Sequence, residues 1–394
     1  MDAIANPFAP GAGSPPPELA GRESILMDAE VALARVARGR AAKSLMIVGL
    51  RGVGKTVLLN RIQAIAEAQG YLAELLEAPE NKSLPAMLAP ALRRLILKLD
   101  RGAQVSNATR RAFRALRSFA RVVKVKYADI EISLDGEIEP GVADSGDLEA
   151  DVTDLLVAVG EAARERGTAV ALIMDELQYL DEIEMSALIV GMHRVSQKQL
   201  PLMLLGAGLP QLVGLTGRSK SYAERLFAFP EAGPLSLSDA SVALQAPALQ
   251  EGARFTEPAL QRIYHLTEGY PYFLQEWGYH AWLNAQGSPI GLEAVDAATP
   301  RAIAALDQSF FRVRFDRLTP SEKRYLRAMA HLGAGPHRSG DIAHRLGVKI
   351  TRMGPVRASL IGKGMIYSPA HGDTAFTVPL FDQFMRRIMP DQPE

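Results

Sequence analysis

Gly49-Leu50-Arg51-Gly52-Val53-Gly54-Lys55-Thr56 places glycines, an ammonium and a hydroxyl in one short turn, a spacing suited to polyphosphate recognition. Gly52 and Gly54 free the backbone to curl, so that successive N–H groups can point at phosphate oxygens. A helix opening near Lys55 adds its positive N-terminal end. Lys55 would then reach the β- and γ-phosphates of a nucleotide such as ATP or ADP, and the Thr56 hydroxyl would ligate Mg²⁺. Gly49, Val53 and Val57 complete the expected phosphate-binding turn.

A second pattern supplies acids. Val170 to Met174 is an apolar run that ends in Asp175 and Glu176. Asp175 can hold Mg²⁺ through water. Glu176 can orient and activate an attacking water. Alone, such a strand end is also compatible with two solvent-facing carboxylates. Paired with the phosphate turn, it points to ATP hydrolysis.

These residues need a scaffold that brings two strand ends together. Ser44–Gly49, the run 71–77, the run 168–176 and the run 200–208 are short, apolar and strand-like, and helical periodicity separates them. Strands alternating with helices predict an α/β fold, a P-loop NTPase parallel sheet flanked by helices. Helices are expected over about Glu23–Arg38, from Thr56 to Gly70, over Leu84–Leu99, after a cap at Ser145 or Asp144, and over about Met185–Lys198.

The chain divides into four parts. Residues 1–20, rich in Pro, Gly and Ala, read as an extended arm without a core of its own. Residues 21–234 form the nucleotide domain, with a basic and strand-like insertion at about 102–146. Residues 235–315 read as a helical lid whose core includes Trp277 and Trp282. Residues 316–394 have helix–turn–helix rhythm, with a turn near Gly347, a longer helix over about Thr351–Lys363 and a hairpin turning at His371–Asp373; together these predict a winged helix.

The order of GRES (Gly21–Ser24), the phosphate turn, IMDE (Ile173–Glu176) and GYPYFLQ (Gly269–Gln275) is similar to that in the AAA+ clade of origin-recognition initiator ATPases and the related STAND signalling ATPases. The resemblance covers about residues 18–390. It implies that Gly21, Arg22 and Glu23 lie beside the base or ribose, where the alternative is a surface loop capping a helix. It implies that Gly269, Tyr270 and Pro271 occupy the sensor-2 position of the lid, against the alternative of a helix start with proline in its first turn. Arg225 looks like the arginine finger inserted into a neighbour's site, with Arg218 its rival; the alternative is a surface arginine paired with Glu224 or Glu231. One feature departs from the clade. The fourth strand runs into Gly206-Ala207-Gly208, with Gln211 the nearest polar side chain, so the expected ATPase is slow.

Twelve Lys and Arg stand against seven Asp and Glu from residue 316 onward, within a chain whose 44 basic and 44 acidic residues balance. Lys349, Arg352, Arg357 and Lys363 lie on or beside the expected recognition helix and are candidate contacts to double-stranded DNA. The alternative is a module that docks protein, as in a STAND-like switch or a regulator of a transposition, plasmid or defence system. Homo-oligomer formation on ATP binding goes with the arginine finger. The absence of cysteine excludes disulfides and thiolate metal sites and suits a cytoplasmic protein. The seven histidines show no metal spacing. No window approaches the roughly 18 apolar residues of a membrane span, so no membrane partner is expected.

Overall fold

The computed structural model describes residues 1–11, 17–78, 80, 83–100, 106–122 and 141–390. Five strands, β1 (Ser44–Val48), β2 (Tyr71–Glu77), β3 (Ala169–Asp175), β4 (Leu202–Gly208) and β5 (Phe227–Ala228), form a parallel sheet in the order β2-β3-β4-β1-β5. Every residue of β1, β3 and β4 is buried, as a parallel strand covered on both faces requires. The register Met46↔Gly206 and Met174↔Gly206 aligns the carboxyl ends of β1, β4 and β3 on one edge. Ligands of such sheets bind outside that edge.

Helices cover both faces. Glu23–Ala37 and Lys55–Ala68 pack on one side, with Ile25, Leu33, Leu58, Leu59 and Ile62 in the interior. Leu84–Leu99, Asn107–Val122, Leu148–Glu165 and Glu182–Gln197 cover the other. The basic helix Asn107–Val122 is part of the fold: Ala112, Ala115, Leu116 and Phe119 are fully buried or nearly so in the domain core. The strand-like stretch read at 123–140 lies outside the described residues. The cap of Leu148–Glu165 is Asp147, whose carboxylate accepts from Ala150 N, and not Ser145 or Asp144. Ser145 instead joins the backbone of Gly146 in holding the buried Asp151. With Ser145 engaged on Asp151, the cap falls to Asp147, the residue directly before the helix.

Beyond β5 the chain is helical: Leu237–Gln250, Glu257–Thr267, Pro271–Asn284 and Leu292–Leu306. Trp277 and Trp282 are buried there, as expected. The N-terminal arm docks onto these helices. Phe8 is buried against Gly278, Asn6 donates to the Tyr279 carbonyl, and Trp282 donates to the Asp2 carbonyl. An apolar anchor at Phe8 thus ties down a segment whose composition predicts only an extended strap.

The helix Leu292–Leu306 runs through a π-helical turn, Asp307–Phe311, into Arg312–Asp316. Helices Pro320–Leu332, Ser339–Arg345 and Gly354–Gly362 follow, with strands β6 (His337–Arg338), β7 (Ile366–Tyr367) and β8 (Asp373–Phe376) in an antiparallel sheet of order β6-β8-β7. A 3-10 turn, Ile350–Arg352, precedes Gly354–Gly362, so the helix expected from Thr351 begins three residues later. Phe311 stacks on Phe384 of the helix Phe381–Ile388 at 5.1 Å, so the helices after β5 and the C-terminal region share one aromatic core.

Candidate nucleotide site

The phosphate turn follows β1 and opens the helix Lys55–Ala68. Gly52 and Gly54 adopt φ of 80° and 90°, the left-handed region that a side chain disfavours. Gly49 is required for a different reason: a Cβ there would stand 2.2 Å from the Ala232 carbonyl oxygen. Across the edge of the sheet, the Thr56 hydroxyl donates to Asp175 Oδ2 at 2.6 Å. The two motifs, separated by more than a hundred residues, therefore meet.

Lys55 is buried and donates to the carbonyls of Gly49 and Leu50 at 3.0 and 2.9 Å. Burial pulls its pKa down to about 8, against the attraction of Glu176 and Asp175. Burial also raises the pKa of Asp175, which Glu176 raises further while the Thr56 hydrogen bond opposes the shift. Glu77, at the end of neighbouring β2, is likewise raised by burial and by both acids. Hard oxygen donors at hydrogen-bond distance, amid carboxylates that repel each other, are a donor set that fits Mg²⁺.

Glu176 sits at φ 55°, a left-handed conformation that costs a non-glycine residue on the order of 1 kcal/mol. Its carboxylate accepts from the Gln178 amide, and Arg51 Nη1 stands 3.8 Å away. Arg51 also donates to Tyr179 Oη at 2.9 Å and to the Gly364 carbonyl at 3.4 Å, and its backbone N–H donates to the Thr377 carbonyl at 2.9 Å. A residue of the phosphate turn thereby grips the C-terminal region.

At the end of β4, Gln178 takes the place in which Gln211 was expected. Its Oε1 accepts from Leu209 N at 3.0 Å, while its amide reaches Glu176. The two glycines of that strand end follow from this arrangement. A Cβ at Gly206 would meet Leu177 Cδ1 at 2.3 Å, and one at Gly208 would meet Gln178 Oε1 at 2.9 Å. The polar group comes from the loop after β3, which no local pattern in β4 could reveal.

A cavity of about 480 Å³ opens over this edge, walled by the turn Arg51–Val57, Arg22, Glu176, Pro271, Tyr272, Phe310 and Arg314, with Ala9 to Gly11 of the arm closing one side. Arg22 lines it, but its guanidinium is spent on the Val53 and Gly233 carbonyls. Glu23 and Tyr270 stand outside the wall: Glu23 accepts from Gly21 N, and Tyr270 packs on Phe273. Tyr272 takes the inward place, because Pro271 starts the helix and the Tyr272 N–H donates to the Gly52 carbonyl at 3.1 Å. Arg225 is exposed beside β5, which pairs with Ser44 and Leu45 at the opposite end of β1 from the phosphate turn. Arg218 forms an exposed ion pair with Glu182 at 2.6 Å.

A parallel sheet with a phosphate turn after one strand and an Asp-Glu pair at the end of another defines a P-loop ATPase fold. Residues 18–205 match the AAA ATPase domain family, and residues 308–385 match a domain of unknown function (DUF8462). No curated protein sequence matches the chain. Among solved structures, the chain is similar to a Walker-type ATPase of Pyrococcus abyssi, at 15% identity and a TM-score of 0.55, over 93% of this chain and 96% of that one. It also aligns with the RuvB Holliday junction branch migration motor of Thermotoga maritima, at 14% identity and a TM-score of 0.46, over 97% and 100% of the two chains. The ORC1 protein of Aeropyrum pernix, solved in complex with DNA, aligns at 17% identity and a TM-score of 0.42, over 94% of each chain. The likeness to the Pyrococcus protein is one of fold. Among the described residues, no helix is long and apolar enough to cross a membrane.

Proposed function

We propose that the protein is an ATP-binding and ATP-hydrolysing switch whose nucleotide state controls the C-terminal module, residues 316–394, acting as a winged helix on double-stranded DNA. The observation that carries the nucleotide part of this reading is the 2.6 Å contact between Thr56 and Asp175 beside a glycine turn. The backbone from Gly49 to Val57 cradles the phosphates, and Lys55 exchanges the Gly49 and Leu50 carbonyls for phosphate oxygens. Thr56 and Asp175 would hold Mg²⁺, which would offset the negative charge of the phosphates. Glu176 accepts the proton of the attacking water, and Gln178 fixes the direction of its carboxylate. Arg51 stands 3.8 Å from that carboxylate and offsets its charge, which suits a slow switch. Arg225, exposed and remote from its own phosphate turn, would serve as the arginine finger in the site of a second copy.

On the module, Lys349 and Arg352 are exposed and available to phosphates. Arg357 and Lys363 serve the fold first: Arg357 braces Thr374, Ser368 and the Asp373 carbonyl, and Lys363 pairs with Glu322 at 2.8 Å. DNA contact therefore rests on the first two. A second reading is favoured by the grip of Arg51 on Gly364 and Thr377, in which the module docks on its own nucleotide domain as in STAND-like ATPases.

Thermal melting with and without ATP and Mg²⁺ tests the nucleotide reading. Nucleotide at about 100 times Kd should stabilise the protein by about 2.7 kcal/mol, and Lys55→Ala should abolish that shift. A salt titration of duplex DNA binding separates the two uses of the module. Lys349→Ala with Arg352→Ala should reduce the slope of log K on log salt by about 2 if both meet phosphates. Salt-independent or absent DNA binding would leave the docking reading alone.

A further inference from the structure

The cavity wall changes character along its length. Lys55, Thr56 and Glu176 make one section polar. Away from them Leu19, Ala20, Leu235, Ala243 and Leu274 make it apolar. The segment Gly21–Glu23 gives this section little to recognise a ligand with, since Arg22 donates to the Val53 and Gly233 carbonyls and Glu23 stands outside the wall. Gln275 is different. It lines the cavity and is 9% exposed, and its Oε1 has no hydrogen-bond partner among the described residues. No other described residue with such an orphaned buried atom lines this cavity. A buried amide oxygen without a donor costs stability until something supplies one.

The helix Pro271–Asn284 sets where Gln275 stands. Its start is fixed on the phosphate turn by the bond from the Tyr272 N–H to the Gly52 carbonyl. Gln275 lies one helical turn beyond Pro271. Further along, Gly278 packs on Phe8, and the next residues of the arm, Ala9 to Gly11, line the cavity. Gln275 therefore falls between the phosphate turn and the arm. Apolar walls around a single amide suit a flat heteroaromatic ring with a polar edge. The amide offers an acceptor beside two donors, and its terminal torsion is soft enough to turn toward a ligand. A base edge with an amino group beside a ring nitrogen, as adenine carries at N6 and N7, meets both halves of the amide at once.

We propose that Gln275 holds the base of the nucleotide, its Oε1 accepting from the exocyclic amino group and its amide N–H donating to the ring nitrogen beside it. The proposal rests on the nucleotide reading above. Base recognition then belongs to the helix after the phosphate-bound Tyr272 N–H, and not to the side chains of Gly21–Glu23.

The test is calorimetric titration of the full chain with Mg²⁺ and either ADP or tripolyphosphate, beside thermal melting of the free protein. Gln275→Leu should weaken ADP by about tenfold to a hundredfold while tripolyphosphate stays within about twofold. The free variant should melt no lower than the unaltered protein, because the orphaned oxygen is gone; a merely structural glutamine would give the opposite shift. If Leu does lower the melting temperature, Gln275→Met, nearer in shape, is titrated in its place. Unchanged ADP affinity, or an equal loss for ADP and tripolyphosphate, would overturn the proposal and leave the phosphate site standing. If the unaltered protein binds neither ligand, the nucleotide reading fails together with it.

Discussion

Glu176 illustrates what a single side chain can decide. Its backbone is strained into the left-handed region, its carboxylate is aligned by Gln178, and Arg51 opposes its charge. A general base contributes about 10²- to 10⁴-fold to a reaction. Glu176→Gln should therefore keep the ATP-induced rise in melting temperature and lose turnover by at least about 100-fold. Phosphate release measured beside thermal melting checks this, and normal turnover would move the base role elsewhere. The residue pair Asp175-Glu176 was legible in the sequence because an apolar run ends on it. Gln178 was not legible as a partner, since its function depends on the end of β4, about thirty residues further on, folding back beside it.

At the scale of elements, the helix Pro271–Asn284 carries a buried titratable group. Glu276 is 6% exposed, and burial raises its pKa from the ordinary 4.5 to about 7. His280 Nε2 lies 3.2 Å away, but its own pKa is lowered by burial and by Arg301, so it supplies no fixed positive charge. The folded state holds the proton more tightly than the unfolded state. Its contribution is complete below about pH 4.5 and is lost as pH rises through 7, by about 3 kcal/mol. The melting temperature should fall over that window, and Glu276→Gln should flatten the dependence and raise the melting temperature at pH 8 by about 5 °C. A pH-melting series of both proteins decides it; identical slopes would place the charge elsewhere. The helix itself was readable from its proline start and apolar spacing. That Tyr272 and not Tyr270 faces the phosphate turn was not, because the choice depends on the Gly52 carbonyl.

At the scale of the molecule, the nucleotide domain and the C-terminal region are joined through Arg51. A further tie is the ion pair of Arg317 with Glu80. Arg51→Ala removes the charge opposing Glu176 and one side-chain tie to Gly364, while the backbone bond to Thr377 persists. Turnover should rise about two- to tenfold, and limited proteolysis should cut the C-terminal region sooner. Unchanged turnover and digestion would show that Arg51 restrains neither partner.

Local patterns were enough to announce the phosphate turn, the acidic strand end, the parallel sheet and the buried lid tryptophans. Each is written in neighbouring residues through backbone freedom, strand burial or helical period. Gln178 at the end of β4, Tyr272 and Arg314 in the cavity wall, Phe8 against the helix Pro271–Asn284 and the Arg51 grip on the C-terminal region emerged only in three dimensions. They are contacts between segments tens to hundreds of residues apart, and their partners are chosen by packing and by the need to satisfy buried polar groups.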